Sequence, residues 1–143
     1  MMVPSFSAEL RVRDGRWVVY NTTKGVRVSA NAVLAATFGR RAVGLLFRRD
    51  WTDLDGLILV PCSSIHTFGM RMPLDVCFLD VRMRVVAVKH GLKPWRLAAG
   101  GAGTSCTLEL PSGVLKSTGT QAGDELVFRQ QAQAGSADSL AGT

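Results

Sequence analysis

Residues 62–75 read CSSIHTFGMRMPLD, and nowhere else in the chain are chemically capable side chains so dense. Cys62, Ser64, His66, Arg71 and Asp75 fall in a polar, turn-rich connection between two apolar runs, and rigid scaffolds tend to carry function on such connections. A thiol and an imidazole four residues apart suggest a nucleophile and its base, with Asp75 as the nearest group to orient the base. Local conformation decides whether they can meet. Four residues bring side chains to about 6 Å in a helical turn, but separate them by about 13 Å in an extended segment. Arg71 suggests different chemistry: its planar guanidinium can hold a carboxylate or phosphate by two parallel bonds. Ser63, Ser64, His66 and Thr67 would supply neutral donors beside it.

The spacing Cys62-x3-His66-x3-Met70 also resembles the ligand loop of the blue-copper proteins. Those sites need a second histidine earlier in the chain, and His90, the other histidine here, comes later. Zinc would want four ligands at paired spacings, whereas the cysteines and histidines are scattered singly. A purely architectural account stays open. In it Cys62 is a small buried apolar residue, His66 bonds a backbone carbonyl, Met70 and Met72 fill the interior, Arg71 pairs with Asp75, and Phe68-Gly69 sets a turn.

Other chemically suggestive groups are weaker. Arg40, Arg41, Arg48 and Arg49 could face the phosphates of nucleic acid, but the interleaved aromatic pattern of RNA-binding sheets is missing. Asp50, Asp53 and Asp55 lack the twelfth-position glutamate of a calcium loop. Gly100 to Gly103 lacks the lysine of a phosphate loop and reads as a flexible link. Glu109 reads as a strand-edge residue and Asp124 as part of a tight turn.

The elements that position these groups are mainly strands. Leu10–Arg13 alternates, Asp14-Gly15 is a hairpin-type turn and Trp17–Tyr20 follows; Val26–Val28 alternates again. Gly56–Val60 is a compact apolar run stopped by Pro61. Val76–Leu79 and Arg84–Val88 read as strands joined by a turn at Asp80–Met83, and Ser105–Leu110 and Glu125–Phe128 complete the set. Helical spacing of Phe38, Ala42, Leu45 and Leu46 predicts one short helix within Ala32–Phe47, with Thr37 as a cap. Lys93–Thr104, around Trp95, reads as a loop.

Composition is that of a globular chain. Of 143 residues, 47% are hydrophobic and 20% charged, which excludes general disorder. No uninterrupted apolar run reaches the ~18 residues of a membrane span, and no basic-then-apolar leader opens the chain. The expected location is therefore cytoplasmic, with Cys62, Cys77 and Cys106 as reduced thiols. The net charge of +6 favours anionic partners.

The run GLLFRRDWTDLDGLILVPCSSIHTFGMRMPLDVCFLD, followed by CTLELPSGVLKSTGTQAGDELVF, resembles the uncharacterised bacterial and archaeal family called domain of unknown function 192. Matching features are Arg41 with Gly44-Leu45, Gly56-Leu57, Met70-Arg71, Pro73-Leu74-Asp75, Phe78-Leu79-Asp80, Leu108–Gly113 and Gly123-Asp124, over roughly residues 33–128. The resemblance implies a compact, mostly β fold and no particular chemistry.

The sequence thus predicts a mostly β (α+β) protein: a small closed or half-open β-barrel-like sheet with one or two short helices. Residues 1–129 are expected to form one globular domain, with its family-like core at 33–128, and 130–143 a disordered tail that cannot offset its ordering entropy. The expected function is a non-catalytic binding or accessory module. Its polar, anion-binding loop at 62–75 would use Cys62, Ser64, His66, Arg71 and Asp75 for a small anionic ligand, with no cofactor, metal or membrane. A cysteine-dependent enzyme using Cys62 and His66 is the alternative. A nucleic-acid-associated basic protein is a third, with nucleic acid disfavoured as a partner.

Overall fold

The computed structural model describes residues 15–35, 51 and 54–131. The expected strand at Leu10–Arg13, the arginine-bearing stretch 36–50, Asp53 and the tail from residue 132 lie outside them.

Among the described residues the strands are β1 (Arg16–Asn21), β2 (Val26–Ala35), β3 (Gly56–Leu59), β4 (Ser64–His66), β5 (Leu74–Leu79), β6 (Val85–Leu92), β7 (Leu97–Ala99), β8 (Cys106–Pro111) and β9 (Leu126–Gln130). One short helix, α1 (Val114–Thr118), follows β8. Seven strands form one sheet in the order β6-β5-β8-β3-β2-β1-β9, and β4 and β7 form a separate two-stranded ribbon. Every described pairing is antiparallel except β2 with β3. A bridge between Arg84 and Glu125 joins the leading ends of the two edge strands, so the sheet curls into a half-barrel.

The central strands explain the curl. All four residues of β3 and all six of β5 are buried, and strands covered on both faces read as continuous apolar runs. Ile58, Cys77, Leu79, Leu108 and Leu110 join one cluster that also holds Val85, beside β6's edge, and Phe128 of β9. Only the enclosed face can bring both ends of the strand order together. Leu57, Leu59, Leu74, Val76 and Phe78 point the other way and pack with Ile65, Met70 and Ala98. The β4–β7 ribbon is the cover of this outer face.

Three expectations need correction. Ala32–Ala35 belongs to β2, not to a helix, because Ala32 through Ala35 pair in parallel with Gly56 through Leu59; the rest of the expected helix lies outside the described residues. The 93–104 segment is not wholly loop, since it contributes β7. Glu109 is not at a strand edge: β8 is central, and Glu109 sits opposite Leu57 on β3 and Val76 on β5. Helix α1 was invisible to periodicity because it is five residues long. Gly113 (φ 101°) and Gly119 (φ 69°) bound it in the left-handed region, where glycine is at no steric disadvantage.

Candidate functional site

The 62–75 segment is held from both ends. The Cys62 N–H donates to Ser105 O (3.0 Å), and the Thr107 hydroxyl donates to Cys62 O (3.1 Å). Beyond it, β4 pairs with β7 in the register Ser64↔Ala99, Ile65↔Ala98 and His66↔Leu97. Strand alternation then separates the two faces of the ribbon: Ile65 and Ala98 face the outer sheet cluster, while Ser64, His66, Leu97 and Ala99 face solvent.

Thr67 locks the end of this ribbon. It is fully buried. Its hydroxyl donates to Lys93 O (2.7 Å) and accepts from the Arg96 N–H (2.8 Å). Its backbone N–H donates to Arg96 O (2.9 Å), and its carbonyl accepts from Trp95 (3.0 Å) and Met70 (3.2 Å). Gly100, just past β7, lies so close to the sheet that a Cβ there would stand 2.5 Å from Phe78 Cβ.

The solvent face of the locked ribbon is aromatic. His66 and Phe68 ring centroids are 5.1 Å apart, and Phe68 and Trp95 are 5.8 Å apart with planes within 25°. The row is unusually open: Phe68 is 42% exposed, Trp95 64% and Leu97 73%. Trp95 also holds φ at +64°, a region that a bulky side chain rarely adopts. Its carbonyl accepts from the Arg96 guanidinium at 3.3 Å. Arg71, Lys93 and Arg96 are all exposed, and residues 61–74 and 93–105 contain no aspartate or glutamate.

The five residues expected to form a site do not converge. Cys62 is half-buried against the outer cluster, and its thiol donates to Ser64 O at 3.1 Å. His66 Nδ1 accepts from the Phe68 N–H at 3.3 Å, not from the thiol. β4 is extended between them, and Asp75, expected to orient the imidazole, is bonded elsewhere, so the described geometry assembles no cysteine–histidine pair. Ser64, His66 and Arg71 are on the open surface. Asp75 is withdrawn. Only 1% exposed, it accepts from the Gly91 N–H (2.8 Å) with one oxygen, and from Gly113 (3.0 Å) and Leu115 (2.9 Å) with the other. It anchors the start of α1 and makes no ion pair with Arg71.

Other acidic and thiol groups are also architectural. Asp55 accepts from Ser29 Oγ (2.6 Å) and from the Ala30 and Asn31 N–H groups (2.9 and 2.7 Å). Burial works against its ionisation, but these bonds outweigh it and hold the carboxyl below the usual range. Its oxygens are spent, which removes it from a calcium loop. Burial similarly opposes Asp124, yet Asn21, the Gln121 N–H and Lys24 hold it low. Burial, with the Asp75 and Asp124 charges second, pushes the Cys77 thiol up to about 12, and burial raises Cys106 as well. Neither is a reactive thiol. Among the described residues no group of three His, Cys, Asp or Glu side chains could hold a metal ion.

Sequence reasoning missed two features. The ring row joins Phe68 to Trp95 from separate segments; the available signal was a tryptophan between Lys93 and Arg96 in a glycine- and alanine-rich stretch. The other is Glu109, 5% exposed in the central strand β8. Burial alone pushes it up to about 8.

Comparison with known proteins agrees with the fold. The family model for DUF192, described as uncharacterized ACR, matches residues 19–128. A UPF0127 protein of Pyrococcus horikoshii is 32% identical over 114 residues, spanning 76% of this chain and 96% of its own. A solved protein of unknown function from Novosphingobium aromaticivorans superposes with a TM-score of 0.68 at 24% identity, over 78% of this chain and 83% of its own. Another, from Sinorhizobium meliloti and described as a candidate transcription regulator, gives 0.70 at 20% identity, over 81% and 94%. The two structural likenesses speak to fold alone.

Proposed function

The chain belongs to the DUF192 family, which is described only as uncharacterised, and we propose that it works as a non-catalytic binding module whose contact surface is the solvent face of the β4–β7 ribbon. Its ligand is a small anion-bearing molecule held beside Arg71, Lys93 and Arg96. His66, Ser64 and the edge of Cys62 contribute surface and donors. Asp75 serves by holding the frame.

Trp95 is the observation that carries this reading. A left-handed backbone at a bulky residue costs about 1–3 kcal/mol. An indole left 64% exposed regains little of that by burial, and its stack on Phe68 returns only about 0.5–1.5 kcal/mol. Folding alone gains almost nothing from tryptophan at this position, and glycine would serve the backbone better. A ring that is both strained and open is accounted for by contact with something outside the chain. Arg71, Lys93 and Arg96, in two segments that carry no acid, favour an anion.

The test pairs stability with binding. Trp95→Gly and Arg71→Ala should each unfold in urea within about 1 kcal/mol of the parent, as substitutions on an open surface do. Pyrophosphate, followed by amide chemical shifts, should perturb residues around Arg71, Lys93 and Arg96 in the parent and much less in Arg71→Ala. A stability loss above about 2 kcal/mol in either variant would make the surface part of the fold. No pyrophosphate-dependent shifts there would remove the anion.

A further inference from the structure

We infer that the ribbon takes a nucleotide unit, with a nucleobase laid on the open indole of Trp95 and its phosphate on Arg71, Lys93 and Arg96. This rests on the binding-surface reading above and names its ligand.

The rings argue for the base. His66, Phe68 and Trp95 already form a row at stacking separations, 5.1 and 5.8 Å between centroids. Trp95 ends that row and is more exposed than Phe68 or Tyr20. A planar group continues it without rearrangement, and every nucleobase has a π-face to offer. The backbone that carries Trp95 is also held in place. Thr67, buried between the two segments, fixes Trp95 and Arg96 by three hydrogen bonds of 2.8–3.0 Å, so little ordering cost falls on binding.

The charges argue for the phosphate. Arg71 follows Phe68 by three residues, Lys93 and Arg96 flank Trp95, and no carboxylate occurs in 61–74 or 93–105. A neutral sugar would use the rings and leave three exposed cations without a role. A bare anion would use the cations and leave the strained indole unexplained. A nucleotide uses both. Nucleic acid is disfavoured from sequence for want of interleaved aromatics, but the two halves of the platform come from segments joined only by the β4–β7 pairing. Stacking on an exposed ring tolerates any base and can serve a mononucleotide or one unit of a single strand.

The test is fluorescence anisotropy of a labelled dT12 oligonucleotide on the full chain, with AMP and ribose 5-phosphate as competitors and phosphatidylserine vesicles in a parallel co-sedimentation. The parent should bind dT12 with log K falling against log salt at a slope of about −0.7, for the one phosphate that the three cations share. Trp95→Ala should weaken binding on the order of tenfold, and Trp95→Phe should recover most of it. Competition by AMP at comparable occupancy identifies a mononucleotide site; dT12 binding that AMP does not displace identifies a single-strand site. Either supports the inference.

It is overturned if Trp95→Ala binds dT12 as well as the parent, since the contact is then charge alone. It is also overturned if ribose 5-phosphate competes as well as AMP, or if vesicles bind and dT12 does not. In the second case pyrophosphate still shifts the Arg71, Lys93 and Arg96 amides, and the broader anion-binding reading survives the loss of the nucleotide. If neither dT12 nor pyrophosphate binds, both readings fall.

Discussion

Asp75 illustrates what a single carboxylate can do for a frame. Three backbone N–H groups, from Gly91, Gly113 and Leu115, converge on its two oxygens. They tie β6, the turn after β8 and the start of α1 to the start of β5. Hydrogen bonds to a charged group contribute about 1.5–3 kcal/mol each, and a buried donor left without its acceptor costs a comparable amount. Asp75→Asn keeps one acceptor oxygen and turns an amide N–H₂ towards donors. We expect it to lose about 3 kcal/mol in urea unfolding, with ribbon chemistry untouched; a loss under 1 kcal/mol would show that solvent or backbone relaxation replaces the carboxylate. By type and position Asp75 looked like part of a site. Residue type was legible there, but its orientation was not, because alternation along β5 sends Asp75 to the face opposite Leu74 and Val76.

At the scale of elements, the β4–β7 ribbon depends on one hydroxyl. Thr67 is the only described side chain bonded to both Lys93 O and the Arg96 N–H. Thr67→Val preserves its shape and deletes those bonds, leaving a buried carbonyl and amide without partners at about 1–3 kcal/mol. That loss should be local. Amides of β4 and β7 should exchange with solvent about ten- to a hundredfold faster, while those of β5 and β8 keep their protection. Equal acceleration in all four strands would mean that the ribbon and sheet open together. β3 and the end of β5 were readable as compact apolar runs, and β8 by the alternation of Cys-Thr-Leu-Glu-Leu. β7 was not: three residues, Leu-Ala-Ala, carry no periodicity, and only pairing with β4 makes them a strand.

At the scale of the whole molecule, the acidic groups set an unusual pH profile. Glu109 is raised from 4.5 to about 8 by burial. Between those values the folded protein holds a proton that the unfolded chain has released, so stability falls as pH rises through that window and levels off above it. Asp55 and Asp124 act in the opposite sense. Held below 3.8 when folded, they contribute stability that is present above that value and lost as pH falls through their folded values. Stability should therefore peak near pH 4–5 and decline by a few kcal/mol toward pH 8, at roughly 1.4 kcal/mol per pH unit as the upper limit. Glu109→Gln should flatten the decline and leave the acid limb in place. Denaturant midpoints at pH 3, 5 and 8 check this. A parent whose stability is level or rising from pH 5 to 8 would refute it, as would a variant that keeps the parent's slope.

By itself the sequence determined a mostly β fold, because strand runs, turn glycines and apolar continuity are local properties of neighbouring residues, and its motifs from Gly56-Leu57 to Gly123-Asp124 carried the resemblance to DUF192. It also marked 62–75 as the stretch to examine. Only the tertiary structure decided which residues of that stretch face solvent, that Asp75 belongs to the frame, and that Glu109 is buried in a central strand. It alone set Phe68 against Trp95. The physical reason is that a surface is made by elements distant in sequence meeting at a fixed register. Cross-strand neighbours such as His66 and Leu97 share no local pattern from which their contact could be read.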